Sequence, residues 1–159
     1  MSMMKTMKTT QSVAINLPAE EIFAYMSDLE NLVDWSWATI AVRKISPGGL
    51  HVGTTLRNTI RFLGRWTDIT FEIVEYEPNR CLTIKSLSGA TPCLFCYQLE
   101  PNGVGGTNVS LETVITLTCG ILGLADSVVA NVIRRQIKHD LLTLKDILEG
   151  SDFPSRNAG

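Results

Sequence analysis

The feature that most restricts the fold is a single change of hydrophobic period. From residue 39 to residue 118 apolar side chains recur at alternate positions. From residue 125 to residue 149 they recur every three or four, at Val129, Ile133, Ile137, Leu141, Leu144 and Leu148. Alternation turns one face of a strand inward, and the longer period turns one stripe of a helix inward. About six consecutive strands therefore precede one long helix, and the sheet they form has an apolar face to cover. A helix of about 25 residues, roughly 37 Å long, can lie across it.

The segments before residue 39 complete the pattern. Residues 10–17 (TQSVAINL) alternate with Val13, Ile15 and Leu17 on one face and read as a strand. Pro18 suits the first turn of a helix, where its missing N–H costs nothing, and Glu20 and Glu21 suit the positive end of the helix dipole. Ile22, Phe23 and Met26 form its stripe. A second short helix carries Leu29, Leu32 and Val33 and runs out at Trp35-Ser36-Trp37.

The later strands are expected at 39–46, 54–62, 65–77, 81–87, 94–100 and 107–118, separated by Pro- and Gly-bearing turns. Leu56, Asn58, Ile60 and Phe62 share an inner face, as do Thr67, Ile69, Phe71 and Ile73. On the outer face Arg57 and Arg61 are expected beside Asp68 and Glu72. The glycine-rich segment 101–106 is neither GxxxxGK[ST] nor a GxGxxG that opens a helix, so it reads as a hairpin loop and not a phosphate cradle. The expected fold is α+β. About seven antiparallel strands form a curved sheet wrapped on the long C-terminal helix, with two short helices after the first strand. One domain over 10–150 lies between a flexible segment at 1–9 and a flexible tail at 151–159. A strongly curved sheet around one helix cannot fill its own concavity everywhere, so a cavity between them is expected.

Composition narrows the function. The 159 residues are 45% hydrophobic and 19% charged, enough for a full core. Fourteen Lys and Arg against sixteen Asp and Glu leave a net charge of −2, which disfavours nucleic acid as a partner. The N-terminus MSMMKTMKTT lacks the apolar run of a signal peptide. The apolar window 113–133 contains Asp126 and Asn131, so no transmembrane segment is expected, and the chain reads as soluble and cytoplasmic. Of the four cysteines, Cys93 and Cys96 form a CxxC. It lies in a strand pattern where positions i and i+3 face opposite sides, so buried structural thiols are expected rather than a metal or redox site. Cys81 and Cys119 stand apart, and the sequon at Asn108 is idle in a chain that is never secreted.

Several stretches resemble a known superfamily. Asn16 to Trp35 (NLPAEEIFAYMSDLENLVDW) is similar to the opening of the START-like, or SRPBCC, superfamily. Later signatures are matched in the same order by Val52-Gly53-Thr54, by Glu75 to Arg80 (EYEPNR), by Gly106-Thr107, and by Leu141, Leu144, Lys145, Leu148 and Glu149. The resemblance spans residues 10–150. It implies a helix-grip fold with a deep apolar cavity, as in the major birch-pollen allergen, lipid-transfer START domains and aromatic polyketide cyclases. Within the superfamily the chain looks most like bacterial members labelled polyketide cyclase/dehydrase.

Candidate site residues are the polar groups on inward faces. Asn58 interrupts an apolar face, and its amide can orient a ligand carbonyl or bond a neighbouring backbone. Tyr97, inward with Phe95 and Leu99, offers a phenol to a ligand, or packs as a core residue with its hydroxyl satisfied. Asp126, three and four residues before Val129 and Ala130, falls on the inward stripe of the long helix. Desolvation there would raise its pKa and suit it as a general base; alternatively it offsets the dipole of the first turn. Thr67, Ser86, Ser88 and Thr113 pose the same question more weakly. Arg134, Arg135, Lys138 and His139 read as a solvated face, and neither His51 nor His139 falls on an inner face.

Two functions lead, neither needing a cofactor, and a protein–protein adaptor with a filled cavity is a third. In the first, a monomer or homodimer binds a hydrophobic small molecule, whether lipid, isoprenoid or aromatic polyketide. Leu56, Asn58, Ile60 and Phe71 line the cavity with Tyr97 and Leu111 from later strands and Val129 and Ile133 from the helix. Trp35 forms its wall, and Trp37 and Trp66 line an entrance or cover the sheet edge. In the second, a cyclase or dehydratase uses Asp126 or Tyr97 as proton carrier.

Overall fold

The alternating stretch folds as one antiparallel ladder. Strand β1 (Met4–Ile15) leads into helix α1 (Ala19–Ser27), then a single 3-10 turn (Leu29–Asn31) and the short helix α2 (Leu32–Trp35). Strands β2 (Thr39–Lys44), β3 (Thr55–Phe62), β4 (Arg65–Glu77), β5 (Cys81–Ser86), β6 (Cys93–Pro101) and β7 (Thr107–Thr118) follow, and helix α3 (Asp126–Glu149) closes the chain. The computed structural model describes residues 4–62, 64–88, 91–118 and 126–150, without the side chains of Met4, Lys5, Leu117, Thr118 and Asp126. Cys119 and the tail 151–159 lie outside the described residues.

The seven strands run in the order β1-β7-β6-β5-β4-β3-β2, so the first strand pairs with the last and β2 forms the opposite edge. Sequential hairpins explain this order, since each strand pairs with its predecessor once β2 is laid down. Asn79 takes φ 67° in the turn between β4 and β5, where its short polar side chain tolerates the left-handed region. Glu20 and Glu21 lie in the first turn of α1, as the sequence predicts, whereas Pro18 stands just before that turn, at the N-cap in extended conformation.

Three expectations need correction. Residues 4–9 are strand rather than a flexible segment, because β1 pairs with β7 continuously from Met4↔Thr118 to Ile15↔Thr107. Met7 and Thr9 continue the inward alternation of Val13 and Ile15, and both are buried. Thr67 shares the parity of Ile69 and Phe71 yet is exposed, because this end of β4 lies close to the hairpin with β3. On the outer face, register sets Asp68 opposite Thr59, whose hydroxyl donates to its carboxylate at 2.7 Å. Arg61 faces Trp66 instead, its guanidinium 5.9 Å from the ring centroid.

The concave face is covered by α3 together with α1 and α2. Ile137, at the middle of α3, and Leu141, Leu144 and Leu148, from its C-terminal half, join Ile22, Phe23, Phe71, Ile73, Leu99 and Val109 in the main apolar cluster. This half is also fastened to β1. Lys145 Nζ donates to the Ala14 carbonyl at 2.6 Å and bridges Glu149 at 2.7 Å, while the Asn16 N–H donates to Glu149 at 2.7 Å. These bonds hold the Glu149 carboxyl below the usual carboxylate range, the Lys145 contact contributing most.

Candidate functional site

The N-terminal half of α3 packs differently. Val129 and Ala130 join Met7 and Ile115 in a second, smaller cluster, against which Phe62, Cys93 and Ile133 pack half-buried. Cys93 and Ile133 also touch the main cluster. Several elements therefore cross from one cluster to the other: β3 from Leu56 to Phe62, β7 from Leu111 to Ile115, β1 from Ile15 to Met7, and α3 from Ile137 to Val129.

Polar side chains mark the seam between the clusters. On β7 it is Thr113, fully buried between Leu111 and Ile115. On β1 it is buried Thr9, directly opposite Thr113, with half-buried Gln11 beside it. On β3 it is Asn58, 2% exposed between Leu56 and half-buried Ile60, and opposite Ile69. Neither the Asn58 Oδ1 nor the Thr113 Oγ1 has a hydrogen-bond partner among the described residues, and the same holds for the buried Trp35 Nε1. A buried polar atom left unpaired costs about 1–3 kcal/mol, so native chains keep few of them.

Most of the expected lining residues meet on this wall. Leu56 lies opposite Phe71, which tilts against Phe95 at 6.0 Å between centroids. Tyr97 lies between Leu82 and Leu111 across the ladder, and Trp35 meets it edge-on at 5.9 Å and 79°. Val129 packs apart in the smaller cluster, with Ile133 between the two. Trp37 and Trp66 are exposed, and Arg134, Arg135, Lys138 and His139 all face solvent. Ser86 and Ser88 are used structurally, their hydroxyls accepting the backbone N–H groups of Cys93 at 2.9 Å and Thr70 at 3.1 Å. The side chain of Asp126 lies outside the described residues.

Asp140 is a group that the sequence reading does not single out. Its Oδ1 accepts the Trp37 N–H at 3.0 Å, tying the segment after α2 to α3. Burial pushes its carboxyl up to about 6, against the lowering effects of the Trp37 bond and nearby His139. Tyr97 feels that carboxylate: burial first, and Asp140 second, raise its phenol far above the ordinary range, so it stays protonated. Spacing could have revealed Asp140, which follows Ile137 by three residues and precedes Leu144 by four, within the inward stripe. Asp140→Asn keeps the acceptor for Trp37 and removes the charge. A raised carboxyl contributes stability that is complete below its ordinary value and is lost as pH rises through about 6. The half-buried group is partly screened by water, so the variant is expected to match the wild type near pH 4 and exceed it by about 1–2 kcal/mol at pH 8. Thermal melts across that range check this.

The thiols bear out the opposite-face argument, but Cys81, Cys93 and Cys96 are each half-buried rather than buried. Cys93 lies inward opposite Ile115 and Cys96 outward opposite Glu112. Burial raises the Cys93 thiol to about 11, which keeps it protonated and unreactive. Among the described residues no group of His, Cys, Asp and Glu could hold a metal ion.

Comparison with known proteins agrees with this architecture. The profile of the family described as "Polyketide cyclase / dehydrase and lipid transport" matches residues 6–149, and the chain belongs to that family. Among solved structures it is similar to the Zhui aromatase/cyclase from Streptomyces sp. R1128, with TM-score 0.75, 15% identity, and coverage of 93% of this chain and 98% of that one. A START superfamily protein from Mycobacterium smegmatis gives TM-score 0.74 at 15% identity, covering 89% of this chain and 97% of that one. The protein TTHA0849 from Thermus thermophilus gives 0.71 at 18%, covering 96% and 100%. These likenesses establish the helix-grip fold. No curated protein matches the chain.

Proposed function

We propose that the protein binds a hydrophobic small molecule at the seam between its two apolar clusters, enclosed by the concave sheet and α3. The observation that carries this reading is the set of unpartnered buried atoms, Asn58 Oδ1 and Thr113 Oγ1 on the wall and Trp35 Nε1 beside it. In a site that admits a ligand, such atoms orient its few polar groups while apolar burial supplies most of the affinity, at about 25 cal/mol per Å². Leu56, Ile60, Phe71 and Leu111 line the wall, Tyr97 and Trp35 close one end, and Val129 and Ile133 approach from the helix. Native mass spectrometry of the purified protein, followed by organic extraction, tests this. A stoichiometric apolar adduct, or uptake of one from a lipid and polyketide panel, is expected. A ligand-free mass with no uptake would overturn it.

A second reading, catalysis of a cyclisation or dehydration, is favoured by one arrangement. Asp140, half-buried and ionised near neutral pH, stands close enough to Tyr97 to raise its phenol. In this reading the Asp140 carboxylate takes a proton from carbon next to a substrate carbonyl, and the protonated Tyr97 donates a hydrogen bond to the enolate oxygen that forms. Asp126 is the other candidate base. Turnover that survives Tyr97→Phe, Asp140→Asn and Asp126→Asn would exclude all three as proton-handling groups.

A further inference from the structure

Three buried polar atoms border the site, and each asks something different of a ligand. Asn58 Oδ1 can only accept a hydrogen bond, Trp35 Nε1 can only donate one, and Thr113 Oγ1 can do either. Their residues are 2%, 4% and 0% exposed, so bulk water is not their partner. Asn58 has Leu56 and Ile60 beside it along β3 and Val42 and Ile69 across the ladder, and none of these offers a side-chain donor. Strands β3 and β7 are four strand spacings apart, about 19 Å along the sheet and less across its concave face. A ligand that meets both Asn58 and Thr113 therefore carries polar groups at separate points on its skeleton.

The same wall lacks a free cation among the described residues. The buried and half-buried positions on the inner face of the sheet are apolar or hold a hydroxyl, thiol or carboxamide. The cations that share this face stand at its margins: Arg65 at the β3–β4 hairpin and Lys44 on the edge strand are both exposed. Lys44 Nζ donates to the Ser46 carbonyl at 2.8 Å, and Lys145 of α3 is engaged by Ala14 and Glu149. The charged group near the wall is Asp140, which Tyr97 feels and which is an anion near neutral pH. A carboxylate or phosphate entering the seam would lose its water, find no counter-charge and meet Asp140. A charge desolvated without a partner is costly.

We propose that the ligand is a neutral molecule that donates a hydroxyl or N–H to Asn58, presents an oxygen acceptor to Trp35, and carries no carboxylate or phosphate. The inference rests on the ligand-binding reading above and narrows it to alcohols, phenols and hydroxyketones, leaving out fatty acids and phospholipids. Discrimination follows from burial. A site built around a hydrogen bond rejects an analogue that lacks the group, because its own buried atom is then left unpaired. Rejection of anions comes instead from the missing counter-charge, so the two kinds of selectivity separate by mutation.

Two sets of probes test this by titration calorimetry at neutral pH: farnesol, farnesyl methyl ether and farnesoate, and testosterone, its methyl ether and the steroid acid with a carboxyl in place of the hydroxyl. Within a set that binds, the alcohol is expected to bind about tenfold or more tighter than either the ether or the carboxylate. In Asn58→Leu the alcohol should fall to the level of the ether while the carboxylate stays excluded. Trp35→Phe should weaken testosterone severalfold and farnesol little, because the steroid also carries a ketone. Cooperative thermal melts check that both variants fold. A carboxylate or an ether bound as tightly as its alcohol, or an alcohol preference that survives Asn58→Leu, would overturn the proposal. A carboxylate or phosphate ester extracted from the purified protein, or an adduct-bearing protein that takes up none of the probes, would overturn it and leave the ligand reading standing. A protein without an adduct that takes up no probe loses both.

Discussion

Leu144→Ala is expected to destabilise the protein by about 3–4 kcal/mol, and Ile133→Ala by only about 1 kcal/mol. Both lie on the inward stripe of α3, so a uniformly packed helix would lose similar amounts at the two sites. Leu144 is fully buried in the main cluster, among side chains that cannot collapse into the space its truncation leaves. Ile133 lies half-buried where the helix crosses the seam, and there fewer neighbours lose contacts. The bonds of Lys145 and Glu149 to β1 reinforce the same asymmetry, since they fasten the C-terminal end of the helix. In a domain of this size Leu144→Ala should lower the melting temperature by roughly 10 °C and Ile133→Ala by a few degrees. Urea midpoints with unchanged m-values measure the difference. Equal losses would mean that α3 is packed along its whole length and leaves no room for a ligand.

Such an asymmetry lies beyond what a sequence displays. The alternation that marks β7 runs from 107 to 118, and that strand ends where the pattern ends, whereas in β4 it holds from Ile69 to Ile73 and then shifts register before Glu75. The first strand begins earlier than its apolar pattern suggests, because the inner positions next to Met7 are Thr9 and Gln11, which read as solvent-facing until β7 is known to cover that flank. Thr67 shows the converse: parity sets which way a side chain points, but burial depends on what stands opposite, and at the hairpin end little does. Asp140 is legible in the helical spacing and is obscured by the polar residues around it, Lys138 and His139, which do face water. Asn58 and Thr113 are recognisable as polar groups on an inner face. That they lack partners follows only from where the two apolar clusters meet, and that is set by contacts between residues more than fifty positions apart.

Asn58→Leu separates stability from function at that meeting point. Leucine is close to asparagine in size, so the substitution leaves no large cavity, and the site is already flanked by Leu56, Ile60 and Ile69. A carboxamide oxygen buried without a partner carries a desolvation cost of about 1–3 kcal/mol, which the apolar side chain removes. The ligand-free variant is therefore expected to be more stable than wild type by about 1–2 kcal/mol, seen as a melting temperature a few degrees higher. A ligand that hydrogen-bonds this amide loses its partner and must leave its own polar group unpaired, so uptake should weaken by about tenfold or more. Stability and binding then move in opposite directions, which a purely structural asparagine would not produce. If the amide bonds to a neighbouring backbone instead, the leucine strands that group, stability falls, and ligand uptake changes little. Thermal melts of the ligand-free variant beside titration with the extracted ligand distinguish the two, and the second pattern would remove Asn58 from the site.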